Sequence, residues 1–233
     1  MKQVRRGRVG IRSFALATVI AALLLGAAAP GAMAKDEEDA QGTVDKARVT
    51  LAGFMRDKDY EWLNANIAKA NGVLIFPQVL RAGFVLGGSG GTGVLLVRDG
   101  KTGEWSNPAF YTMAGVSFGM QAGGEAAEVV LLVMSQKGVD SLLASKLKLG
   151  ADTSVAHGPV GAGAKAETAE FYSFAKSKGL YAGMNLTGTV LDVRDSINKA
   201  YYGQKVTPLD ILVRGSASNK GADPLREDLK KAK

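Results

Sequence analysis

Cysteine is missing from all 233 residues, and histidine occurs once, as His157. The first absence excludes disulfides, thiolate metal sites, cysteine nucleophiles and a lipidated cysteine anchor. The second leaves any hydrolytic triad or imidazole metal centre resting on one ring. Asp152 and Ser154 lie just upstream of His157. In a strand-like run that spacing does not bring three side chains together, and no G-x-S-x-G elbow occurs. The expectation is a protein that is not an enzyme and uses no metal or cofactor.

A large positive charge is also less than it looks. The chain carries 29 Lys and Arg against 22 Asp and Glu. Five of the basic residues (Lys2, Arg5, Arg6, Arg8, Arg12) and no acid precede residue 35, so the remainder holds 24 basic and 22 acidic side chains, a net of +2. That gives no warrant for nucleic-acid binding. The basic start, the apolar run "FALATVIAALLLGAAA" and "AMA" at Ala32–Ala34 form a secretory signal. The apolar run is short for a spanning helix, which needs about 20 residues. The expected organisation is a signal over 1–34, cleaved or retained as an anchor, and a disordered charged leader over 35–42. A single domain over 43–215 and a disordered polar tail over 216–233 follow. Localisation is then periplasmic or exported, soluble after cleavage or peripheral to a membrane.

Glycine is abundant, with 30 residues, and one cluster imitates a nucleotide site. Gly88, Gly90 and Gly93 satisfy G-x-G-x-x-G, and Gly100-Lys101-Thr102 follows. A dinucleotide fingerprint needs a helix after its glycines, because the helix N-terminus receives the pyrophosphate. Here "VLLV" follows, which reads as a strand, and Leu95 stands where a Walker motif requires glycine. The string therefore predicts the connection of a β-hairpin, with Asp99-Gly100 as a second turn. No nucleotide is expected as a ligand.

Along the chain, Val44, Ala47, Leu51 and Phe54 keep helical spacing, and a shorter helix ends near Asn71-Gly72. Beyond Gly72 come short β-type runs bounded by Gly, Pro and Asp. "AEVVLLVM" is apolar on both faces, as a covered strand is. "SQKGVDSLLASK", Asp195–Tyr202 and the Thr207-Pro208 start read as helices. The fold class is α+β, a curved antiparallel sheet or partial barrel flanked by N- and C-terminal helices.

The ordered series "NGVLIFPQVLRAGFVLGGSGGTGVLLVRDGKTGEWSNPAFYTMAGVSFGMQAG", "EVVLLVM", "GLYAGMNLTGTVLD" and "NKAYYGQKVTPLDIL" resembles the SYLF lipid-binding domain family, over about residues 43–213. The resemblance implies a non-catalytic domain for acidic phospholipids. Eukaryotic members bind phosphoinositides and some bind actin, but a secretory signal puts cytoskeletal actin out of reach. The family string has a basic residue after "FP", where this chain has Gln78. The expected partner is an anionic phospholipid or membrane surface of a bacterial envelope. The alternative is a structural, self-associating envelope protein whose glycine-faced sheet packs on a protein.

Arg81, Arg98 and Lys101 are the leading headgroup candidates, brought to one end of the sheet by a hairpin. Lys146 and Lys148 are further candidates on the same logic. Lys46, Arg48 and Arg56 flank the amphipathic helix of residues 43–56, which offers a membrane-interface alternative.

Overall fold

The computed structural model describes residues 30–83, 86–118, 123–161, 168–177 and 186–232. The chain divides into two units, Met1–Lys35 and Asp36–Lys233. The expected signal segment falls almost wholly outside the described residues, as do parts of the runs around 162–167 and 178–185. The fold below is that of the second unit.

Four long strands carry the architecture: β1 (Gly72–Gly83), β2 (Leu86–Val97), β3 (Ala109–Phe118) and β4 (Gly123–Val133). Four short ones extend it: β5 (Lys146–Lys148), β6 (Val155–His157), β7 (Phe171–Ser177) and β8 (Val190–Val193). They form one sheet in the order β5-β8-β3-β2-β1-β4-β7-β6, curled into a half-barrel. Every pairing is antiparallel except β6 with β7, which is parallel. The two edge strands are consecutive in sequence. Their link, residues 149–154, is tied to both sides of the sheet. Leu149 N–H donates to Thr189 O at 2.9 Å, and Phe171 N–H donates to Ser154 O at 3.1 Å.

The class predicted from sequence is therefore found, and the patterning explains it. In the first half of β1 and the second half of β4 nearly every residue is apolar, because helices cover both faces there. The inner face carries Leu74, Phe76, Leu95, Tyr111 and Leu131, closed by α3 (Gln136–Leu143) and α5 (Pro208–Leu212). Tyr111 O–H donates to Leu142 O at 2.6 Å, and burial pushes this phenol's pKa far above its ordinary value. Thr207 and Asp210 cap α5 reciprocally, with Pro208 inside the first turn. The outer face carries Val73, Ile75, Val94, Leu96 and Val130 against α1 (Pro30–Arg56), α2 (Glu61–Ile67) and α6 (Asp223–Lys231). Between them α4 (Asp195–Tyr202) is fixed by Asn198, whose Oδ1 accepts from Phe110 N–H at 2.9 Å. Each side chain fully buried in these layers contributes about 1.5–3 kcal/mol.

Three local expectations are corrected. Residues 36–42 are helical: α1 continues its apolar stripe back to buried Ala40, and Gln41 donates from Nε2 to Gly221 O at 3.1 Å. The tail is folded as well. Leu225 and Leu229, one turn apart, are buried against the outer core, and Arg48 pairs with Asp228 at 2.6 Å. The glycine string is strand rather than connection. β2 runs through it from Leu86, and residues 84–85, which link it to β1, lie outside those described. The reason is a bulge in β1, where the register shifts between Phe76 and Val79. Pro77 sits there, lacking the N–H that a regular ladder uses. The bulge presses on β2, so that a Cβ at Gly91 would overlap Gln78 O, and one at Gly93 would overlap Ile75 O and the Phe76 ring.

"RDGKTG" is a turn, as expected, but a wide one. Asp99 Oδ1 accepts from Thr102 N–H at 2.7 Å and Lys101 N–H at 2.8 Å, and Gly103 takes φ 75°. Those two backbone donors hold the Asp99 carboxyl below its ordinary range.

Candidate functional site

The three leading cations do not meet. Arg98 and Lys101 lie at the end of β2 that pairs with the start of β1, while Arg81 lies near the far end of β1, opposite Ser89. Nine residues of strand separate Arg81 from the Gly72 end, about 30 Å at the usual rise. Arg98 Nε donates to Ala70 O at 3.2 Å, so it closes the chain between α2 and β1. Lys101 stands exposed on the wide turn.

Nor is the helix of residues 43–56 free to lie in a membrane interface. Its apolar stripe, Val44, Ala47, Leu51 and Phe54, is spent in the outer core. Of its cations, Arg48 is paired with Asp228, and that carboxylate raises the guanidinium pKa further. Arg56 Nε turns back to Ala52 O at 3.1 Å, and Lys46 is exposed.

Lys146 and Lys148 are different. Both stand exposed on β5, either side of buried Leu147, and so point to the outer face. Following the register across the sheet from Lys148 gives one row: Lys148, Val190, Ala114, Gly90, Leu80, Ala126. Cross-strand partners share a face, and this row lies beyond the reach of the helices. Leu80 is 56% exposed, and Ala114 and Lys148 are exposed too. The row behind it reads Lys146, Asp192, Thr112, Thr92. Lys146 meets Asp192 at 3.5 Å, and Arg194 Nη1 donates to Thr112 Oγ1 at 3.3 Å. Val190, Gly90 and Ala126 are half-buried, so the outcome among the described residues is a partly exposed strip of small residues, one projecting leucine, and cations at one rim. The Lys148 ammonium has no partner among the described residues.

Sequence reasoning missed Leu80, Ala114 and Val190 as members of a surface. The register that assembles them across the sheet is not local information. Near His157, the Asp152 and Ser154 side chains are committed elsewhere. Asp152 Oδ2 accepts from Lys148 N–H at 2.7 Å, and Ser154 Oγ accepts from Glu170 N–H at 2.9 Å. Among the described residues no group of three His, Cys, Asp or Glu side chains is placed to hold a metal ion.

A family profile described as Ysc84, Las17-binding protein actin regulator, matches residues 114–232, from the middle of β3 through α6. The chain belongs to the Ysc84 family. The human SH3 domain-containing YSC84-like protein 1 is 33% identical over 171 residues, which is 70% of this chain and 49% of that one. The bovine protein of the same name is 34% identical over 154 residues, 63% of this chain and 44% of its own length. Protein YSC84 of Saccharomyces cerevisiae is 34% identical over 167 residues, 68% of this chain and 35% of its own length. The chain thus spans half or less of these Ysc84 relatives. No solved structure is a significant match.

Proposed function

We propose that this Ysc84-family domain is a non-catalytic phospholipid-binding module of a bacterial cell envelope, periplasmic or exported, that rests its uncovered outer strip on an anionic membrane. The observation that carries the reading is the row from Lys148 to Ala126. A strip of Ala, Gly and Val cannot grip a protein groove through large anchors, but it lets Leu80 reach lipid while Lys146, Lys148 and Arg194 face phosphates. Charge complementarity selects an anionic bilayer over a neutral one, and basic side chains near such a surface contribute about 1 kcal/mol each. The family description names an actin regulator, and a chain exported behind a signal at residues 1–34 meets lipid rather than cytoskeleton.

Vesicle co-sedimentation tests it. The full chain is expected to bind vesicles containing phosphatidylglycerol, weakly bind pure phosphatidylcholine, and release as salt rises. Lys146→Gln with Lys148→Gln removes about 2 kcal/mol, roughly 30-fold in affinity, and Leu80→Asp weakens binding further at an unchanged melting temperature. Equal binding by the folded variants sinks the reading. A concentration-dependent dimer abolished by Leu80→Asp, without vesicle binding, assigns the strip to a second copy instead.

A further inference from the structure

One carboxylate stands among the cations at the rim of the outer strip. Asp192 on β8 pairs across the sheet with Lys146 on β5 and with Thr112 on β3. Cross-strand partners share a face and hold their Cβ atoms about 5 Å apart. Lys148 lies two residues beyond Lys146, exposed like it beside buried Leu147, a step of about 7 Å along a strand. Arg194 reaches the same place from the end of β8, its Nη1 donating to Thr112 Oγ1 at 3.3 Å. Lys146, Lys148 and Arg194 thus gather about a single acid.

Two facts set Asp192 apart from a closed surface ion pair. Its cation contact among the described residues is Lys146 Nζ at 3.5 Å, beyond the range of about 2.7–3.2 Å of a made hydrogen bond. Its side chain is also 41% exposed, so its oxygens remain open to a further donor. Asp152, the other carboxylate beside these lysines, has Oδ2 taken by Lys148 N–H at 2.7 Å. For a bare anionic surface Asp192 is unfavourable, since it repels the phosphate that the three cations attract.

We infer that Asp192 makes this rim selective for anionic lipids whose headgroup carries hydrogen-bond donors, as the hydroxyls of phosphatidylglycerol do. The inference rests on the membrane reading above and deepens it. Lys146, Lys148 and Arg194 meet the phosphate diester, and Asp192 accepts from the hydroxyls beyond it. Hydrogen bonds to an ionised acceptor are the stronger class. A headgroup without donors leaves the carboxylate facing a like charge, with its hydration lost and no bond to replace it.

Co-sedimentation of the full chain with two sets of vesicles tests this. Both hold phosphatidylcholine and the same fraction of a singly charged anionic lipid. That lipid is phosphatidylglycerol in one set and phosphatidylmethanol, which has no headgroup donor, in the other. The parent is expected to bind the first about threefold more tightly or better. Asp192→Ala, at an unchanged melting temperature, should bind phosphatidylmethanol more tightly than the parent does and erase the preference. Asp192→Asn, which keeps an acceptor without the charge, should bind both more tightly and keep a smaller preference. A parent with no preference overturns the inference and leaves the membrane reading standing. So does an Asp192→Ala or Asp192→Asn variant that shifts both affinities by one common factor, since Asp192 then only steadies Lys146. If neither vesicle binds, the membrane reading falls and the selectivity falls with it.

Discussion

Replacing Leu229 by alanine tests whether the C-terminal helix is part of the core. Leu225 and Leu229 are 0% and 1% exposed and lie in the outer cluster with Leu51, Phe54 and Trp105. A buried Leu→Ala change costs about 2–5 kcal/mol, the spread reflecting how far the site collapses. The site here is lined by side chains on α1 and the sheet, which are held by their own packing, so collapse is limited and about 3 kcal/mol is the working figure. For a domain of this size each kcal/mol moves the melting temperature by about 2–4 °C, giving a fall of roughly 6–12 °C. The Arg48–Asp228 contact adds little, because exposed ion pairs are screened and entropically costly. The Asp228→Ala variant should therefore melt close to the parent. Thermal unfolding followed by circular dichroism reads both changes. If Leu229→Ala, or removal of residues 216–233, leaves the midpoint unchanged, the helix is an appendage and the packing argument fails.

Acid unfolding should follow the carboxylates with depressed pKa values. Glu170 is held down first by the Thr153 hydroxyl and then by Lys137, 3.0 Å away, and Asp57 by Lys176 at 2.6 Å. Their stabilisation is complete above the unfolded carboxylate range and is lost as pH falls through the folded values. Melting temperature should accordingly hold from about pH 7 to 5 and drop below about pH 4, with a shallower drop in Glu170→Gln; an identical acid slope in that variant refutes the assignment. Gly93→Ala should cost about 1–3 kcal/mol through overpacking against the β1 bulge, whereas Gly88→Ala, with open space around it, should be nearly neutral in the same melt.

Much of the fold was legible because its signals are local. Two-faced apolar runs mark β1 and β4, and the Thr207-Pro208 pair marks α5. The tail was not, since one i, i+4 leucine pair is a weak signal among lysines. Residues 36–42 read as disordered because acids dominate them, while their contribution to the core is one alanine, beside a glutamine that bonds Tyr201 and Gly221, 160 and 180 residues away. The grouping of cations failed for a geometric reason. Twelve-residue strands carry Arg81 and Arg98 to opposite ends of the sheet although both flank one hairpin. The glycines looked like a connection because a bulge on the neighbouring strand, which makes them necessary, leaves no mark in their own sequence. The strip depends on register across six strands, which no local pattern encodes.

The joining of Gln41 and Arg48 to Gly221 and Asp228, each across 180 residues, has a consequence for the newborn chain. At about 5–20 residues per second, α1 waits roughly ten to forty seconds before the segment that seals it has been made. Through that interval the helix holds an oily stripe with no cover at its far side, and the sheet beneath it has yet to be written. Sealing of this layer is thus timed by the synthesis of Asp223–Lys231, and a ribosome that stalls before those codons leaves behind a molecule open along one flank.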